Sequence, residues 1–158
     1  MLAVFSSAVT TDPHAFDMQN TLGQLLIQAL AFWKQQSVPV NARQRLELLR
    51  AGGLYTDDIS GYTVQIGLIL LDKQGGEHPG FASFRRRQEM CLLTSAQLTE
   101  MSGAQSPSGK VYVVENQMLF SSLSMHKGLR HPLLCTSGQL REASWVLLDM
   151  LAEAGNSI

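Results

Sequence analysis

One stretch, 110–138, concentrates the side chains best suited to catalysis or ligand binding. It opens Lys-Val-Tyr-Val-Val, presents Glu115 and Asn116, and closes on Cys135-Thr136-Ser137-Gly138. A carboxylate at the tip of an apolar strand can hold a divalent cation or move a proton, and an Asn behind it can cap the next helix. A solvent-facing Glu is also an ordinary way to end a strand, so the residues by themselves leave both readings open.

The spacing Cys135-x-x-Gly138-x-x-Arg141 raises a second chemistry. In the C-x-x-G-x-x-R loop of cysteine phosphatases, amides at a helix N-terminus cradle phosphate and the Arg binds it bidentately. The same setting lowers the thiol pKa and makes a nucleophile. Here Leu134 stands where that loop carries His, and Glu142 where it carries Ser or Thr. The competing reading is a buried thiol beside a polar strand-to-helix turn.

Either chemistry needs a scaffold that brings two strand tips to one edge. Residues 110–115 and 133–135 read as apolar strands with a helix-like segment between them, the form of a β-α-β unit. In open α/β sheets, ligands gather at the carboxyl ends of the strands. Residues 139–154 predict an amphipathic closing helix, with Ala143, Val146, Leu147, Met150 and Leu151 inward and Gly155 as its stop. Residues 156–158 read as the start of another strand, as though the sequence were cut through a larger fold.

Upstream, residues 1–9 are short and apolar, and 10–17 form a polar turn in which His14 and Asp17 can cap and brace the helix after it. That helix begins at Asn20 or Thr21, carries Leu22, Leu25, Leu26, Ala29, Leu30 and Trp33 at helical spacing, and stops before Pro39. A second helix spans 41–51, with Asn41 as N-cap, Leu46 and Leu49 inward, and Gly52-Gly53 as stop. After a polar turn at 57–61, residues 62–71 predict one strand, 72–80 a loop, 89–94 another strand, and 95–101 a short helix capped by Ser95. Residues 102–109 are the most linker-like, rich in Ser and Gly. Arg85-Arg86-Arg87 is a charge run of the kind that usually forms a solvated face; its functional alternative is contact with a DNA phosphate backbone.

The bulk numbers exclude several classes. A formal net charge of −1 argues against a strongly basic nucleic-acid wrapper. The 45% of hydrophobic residues is enough for a core. The two cysteines, Cys91 and Cys135, lie in apolar runs without a C-x-x-C pair, as reduced thiols of a cytoplasmic protein do. There is no bilayer-length apolar run and no basic signal-peptide start. The four histidines lack metal-ligand spacing, and there is no P-loop or G-x-G-x-x-G.

Three segments, in this order, resemble one bacterial family. They are the Asp12-Pro13-His14-Ala15-Phe16-Asp17 turn before a helix, residues 53–60 before an apolar strand, and Val-Tyr-Val-Val-Glu115-Asn116 with Leu-Leu-Cys135-Thr136-Ser137-Gly138-Gln139. The family is that of Toprim-bearing proteins encoded beside SMC-like ATPases. It is similar to the JetD-type nuclease subunit of Wadjet anti-plasmid systems, and its order and spacing cover most of the chain. The resemblance implies a Toprim domain starting near Lys110, with Glu115 in acid–base chemistry or metal binding and Asn116, Thr136, Ser137 and Gly138 in support. In that family an Asp-x-Asp at a later strand tip holds Mg²⁺, and this sequence ends before it. The implied cofactor, Mg²⁺ or Mn²⁺, therefore belongs to the complete domain, with no tight binding expected here.

The resulting expectation is an α/β chain. A mostly helical N-terminal region with a few strands, 1–109, precedes the N-terminal half of a Toprim-like domain, 110–158. The expected partners are DNA and SMC-like subunits, with a homodimer through an exposed strand edge as an option and no membrane. The expected function is a fragment of a metal-dependent nuclease subunit, inactive alone. The alternatives are a non-catalytic interaction module and a phosphatase using Cys135 and Arg141.

Overall fold

A computed structural model describes residues 1–54, 61–126, 128 and 130–158. The chain forms two compact units, Met1–Asp58 and Ile59–Ile158. Residues 57–60 of the turn expected at 57–61, and with them most of the 53–60 segment, lie outside the described residues.

The first unit is helical. It contains α1 (Leu2–Thr10), α2 (Thr21–Trp33) and α3 (Ala42–Ala51). The Asn41 side chain accepts a hydrogen bond from the Gln44 amide at 2.9 Å, so the N-cap of α3 is the expected one. Leu46 and Leu49 are buried, as expected, and Gly53 beyond the helix sits at φ 76°. α2 is oriented differently from its apolar pattern. Gly23, Ile27, Leu30 and Ala31 are buried, while Leu22, Leu25, Ala29 and Trp33 face solvent. The helix is apolar almost all round, so periodicity alone does not choose a face. Gly23 chooses it, because a side chain there would collide with the Asp17 and Phe16 carbonyls. Only a face bearing Gly can approach the turn so closely. Ile27, Leu30 and Ala31 then pack with Leu48 and Leu49.

The second unit holds two sheets. Four strands, β3 (Cys91–Thr94), β1 (Tyr62–Ile66), β6 (Leu133–Cys135) and β5 (Tyr112–Val114), lie side by side in that order. β1 is antiparallel to both β3 and β6, and β5 is parallel to β6. A smaller sheet pairs β2 (Ile69–Leu71) with β4 (Gly103–Gln105). The single strand expected over 62–71 is thus two. Gly67, at φ 88°, breaks it, and the buried Gln65 side chain accepts the Leu68 amide at 3.0 Å inside the kink.

The remaining helices are α4 (Pro79–Arg87), α5 (Ser95–Thr99), α6 (Gln117–Ser124) and α7 (Glu142–Glu153). The cap of α5 is Thr94 rather than Ser95, since Thr94 and Gln97 form a reciprocal capping box. α7 starts three residues later than expected, because Arg141 is still extended. Its predicted core face is buried in full: Ala143, Val146, Leu147, Met150 and Leu151 are at most 2% exposed. Each large aliphatic among them contributes about 1.5–3 kcal/mol by leaving water.

The linker expected at 102–109 contains β4, and the 109/110 boundary drawn from composition falls inside the second unit. Ser and Gly there serve a tight turn. The Ser106 hydroxyl donates to the Lys110 carbonyl at 2.6 Å, and the Ser106 amide donates to Asn156 Oδ1 at 3.0 Å. The start of a strand expected at 156–158 takes the form of one parallel bridge, Lys110 to Ser157.

Candidate functional site

The β5–α6–β6 connection puts both predicted tips at one edge. β5 and β6 are parallel in register, Val114 opposite Cys135, so their carboxyl ends coincide. Immediately beyond, the Thr136 amide donates to the Val114 carbonyl at 3.0 Å and the Gly138 amide to the Glu115 carbonyl at 3.1 Å. The turn can fold back this way because Ser137 and Gly138 take successive positive φ values, 57° and 100°. Thr136 Oγ1 closes it on the Gly138 carbonyl at 3.0 Å.

Glu115 therefore leaves the sheet with its backbone clamped and its carboxylate exposed to water. Behind it, Asn116 Oδ1 accepts from the Met118 and Leu119 amides at 2.8 and 3.2 Å, satisfying two of the orphan donors of α6. Beside the two tips lies a shallow concavity of about 450 Å³, lined by Glu115, Thr136, Gly138, Leu140, Leu148 and Ile158 among others. The structure thus brings together Glu115, Asn116, Thr136, Ser137 and Gly138.

Cys135 and Arg141 do not form a phosphate cradle. The Cys135 thiol is fully buried, 3.7 Å from both the Glu115 carbonyl and Ser137 Oγ. Two amides that such a loop would turn towards phosphate, Thr136 and Gly138, are already bonded to the β5 tip. The Arg141 guanidinium lies over the Tyr62 ring, 5.9 Å from its centroid, and Glu142 adds a negative charge to the first turn of α7.

The three arginines occupy the last turn of α4 and none lines the concavity at Glu115. Arg85 grips Glu77 with two bonds, Nε to Oε1 at 2.6 Å and Nη2 to Oε2 at 3.0 Å. That hydrogen-bonded contact holds the Glu77 carboxyl below its ordinary pKa and raises that of Arg85. Arg87 pairs with Glu89 at 2.7 Å, and Arg86 is exposed. In the first unit, His14 Nδ1 meets Asp17 Oδ2 at 3.0 Å and the Asn20 side chain donates to the His14 carbonyl, a local brace ahead of α2.

Among the described residues, no three His, Cys, Asp or Glu side chains come together as a metal-binding group, and no helix is long and apolar enough to cross a membrane. The sequence pattern set His131 aside with the other histidines and did not single out Arg130, yet both line a separate concavity with Arg85. Their only signal was a basic pair ahead of Pro132.

Residues 1–70 match a family model described as "Protein of unknown function N-terminus (DUF3323)", and residues 91–158 match one described as "Protein of unknown function C-terminus (DUF2399)". Between them they leave only 71–90 unmatched. No curated protein and no solved structure matches the chain.

Proposed function

We propose that the Ile59–Ile158 unit carries the first half of a Toprim-like metal-dependent nuclease centre, with Glu115 as its acid–base or metal-binding carboxylate. In this reading the chain serves the nuclease subunit of an SMC-linked anti-plasmid defence system in the cytoplasm, with DNA and SMC-like subunits as partners. One observation carries it. The parallel β5–α6–β6 unit presents a carboxylate at a strand tip, backbone-clamped by the 136–138 turn, at the sheet edge where α/β folds gather ligands. The two matched segments, an N-terminal and a C-terminal one in that order, are compatible with this resemblance.

The residues present do not fit Mg²⁺ on their own. That ion is held by carboxylates together with waters or phosphates, and Glu115 supplies the one side-chain carboxylate among the described residues that line the concavity. The 158 residues hold no Asp-x-Asp. The chain's own contribution is one oriented carboxylate and its rigid backing, and no chemical step is routed through an ion here.

Paramagnetic broadening by Mn²⁺ tests the assignment at low affinity. Amides of Glu115, Asn116 and residues 136–138 should broaden first, and Glu115→Gln should abolish the preference. Broadening spread over other carboxylates, or persisting in the variant, refutes it.

A second reading, a non-catalytic interaction module, is favoured by the apolar exposure of α6, where Met118 is 82% and Leu119 50% exposed beside the β5 edge strand. Sedimentation at rising concentration separates the two. Concentration-dependent self-association lost in Met118→Lys would support the module and its homodimer.

A further inference from the structure

A second concavity in the Ile59–Ile158 unit lies at the other end of β6 from Glu115, where Ile66 pairs with Leu133. It encloses about 230 Å³ and is lined by Gly67, Arg85, Gln88, Arg130, His131 and Pro132 together with Ile66 and Pro107. Its size limits the ligand. Pockets that enclose a cofactor or drug-sized molecule run to roughly 300–1,000 Å³, whereas one oxyanion group with its water needs less.

The lining sets the sign. Two guanidiniums and an imidazole converge from two segments, Arg85 from α4 and the neighbouring Arg130 and His131 from the turn before β6, and no carboxylate is among the described lining residues. Arg85 is held in place from behind: Glu77 takes two of its five N–H donors and leaves three. His131 is fixed by Ser108 Oγ at Nδ1, 2.8 Å away, and by the edge-on Tyr112 ring. Its Nε2 is the nitrogen left over. Gly67, at φ 88° and against Pro132, keeps the mouth free of a side chain.

Charge bookkeeping shows which group decides. Glu77 cancels Arg85, and the C-terminal end of α4 at Gln88 adds up to about half a negative charge. Arg130, exposed and with no carboxylate partner among the described residues, leaves the pocket net positive. The geometry points to an anion site that takes a phosphate group, with Arg130 as its decisive cation and Arg85 as its preorganised donor. The site is independent of the Glu115 reading.

The test is a titration of the ¹⁵N-labelled chain with inorganic phosphate at fixed ionic strength, and separately with a short DNA duplex. Amide shifts at Gly67, Gln88 and His131 should saturate with phosphate and weaken about tenfold in Arg130→Gln, the loss of one charge-assisted contact. Lys73→Gln, whose partner Glu100 is elsewhere, should change nothing. Saturation by both phosphate and duplex supports the site as a nucleic-acid phosphodiester contact; saturation by phosphate alone supports it as a site for free phosphate or a phosphate monoester. Absence of a saturable shift at these amides, or equal affinity in Arg130→Gln, overturns it. The Mn²⁺ experiment at Glu115 reads a different end of the sheet, so the two proposals fail separately.

Discussion

Removing the Asn116 side chain should loosen α6 more than any other single exposed change in the second unit. The helix spans only Gln117–Ser124 and buries one residue, Phe120, against Ile66, Leu133 and Cys135. Helices this short are marginal in isolation, so the cap is a large part of what holds it. Asn116 Oδ1 accepts two amide bonds at once, at 2.8 and 3.2 Å. Replacing such a cap with Ala costs about 1 kcal/mol, with a range of about 0.5–2, whereas Gly costs only a few tenths. About 1 kcal/mol multiplies the open population of α6 roughly fivefold, since 1.4 kcal/mol is a factor of ten.

The assay is amide hydrogen exchange of Phe120 and its neighbours, read beside urea unfolding. Exchange of the Phe120 amide, which bonds the Asn116 carbonyl at 2.9 Å, should quicken about fivefold in Asn116→Ala. Asn116→Asp should restore it, and Asn116→Gly should fall between. The urea midpoint should drop by at most about 0.3–1 M for a slope of about 1–3 kcal/mol per M, and by less if α6 opens locally. Unchanged exchange in Asn116→Ala, or equal loss in Ala and Asp, would refute the cap as the anchor of the Glu115 tip.

Three further outcomes rest on the same geometry. Glu77 is held below its ordinary carboxylate pKa chiefly by the Arg85 hydrogen bond; its stabilisation is therefore present above the unfolded value, roughly 4.3, and is lost as pH falls through the folded one. Wild type should lose up to about 1 kcal/mol more than Glu77→Gln between neutral pH and pH 3, measured by urea midpoint. Ser144 Oγ is buried in α7 without a hydrogen-bond partner among the described residues, so Ser144→Ala, which removes an unsatisfied donor and raises helix propensity, should be neutral or raise Tm by a few degrees; a clear drop would reveal a partner. Iodoacetamide at pH 6 should leave Cys135 and Cys91 unmodified in the folded chain and label both in urea. Cys135 is fully buried, and desolvation pushes the Cys91 thiol up, although the Gln65 amide opposes it. Rapid labelling of native Cys135 would revive the phosphatase reading.

Local patterns determined much of this protein. Asn41, Asn116 and Gly155 mark helix ends because capping and left-handed stops involve only a few neighbouring residues. The closing helix exposes its core face in sequence because Ala143, Val146, Leu147, Met150 and Leu151 recur at helical spacing among polar neighbours. The alignment of the Glu115 and 136–138 tips was legible too, since a helix between two apolar strands is the usual crossover of a parallel pair.

Long-range packing settled the remaining features. α2 is apolar almost all round, so its buried face was set by the close approach at Gly23, a contact with residues 16 and 17 that periodicity does not encode. Residues 102–109 have a linker's composition, yet β4 finds its partner in β2, more than 30 residues earlier. The C-x-x-G-x-x-R spacing was real, but two amides that would make it a phosphate loop are bonded to the Val114 and Glu115 carbonyls, and the guanidinium lies over the Tyr62 ring. Arg130 and His131 share a concavity with Arg85 only because β6 pairs with β1, which places the turn before β6 at the Gly67 kink, while α4 packs on β2 just beyond that kink. Sequence separation hides such meetings because pairing across a sheet depends on long-range register, which no short window of residues contains.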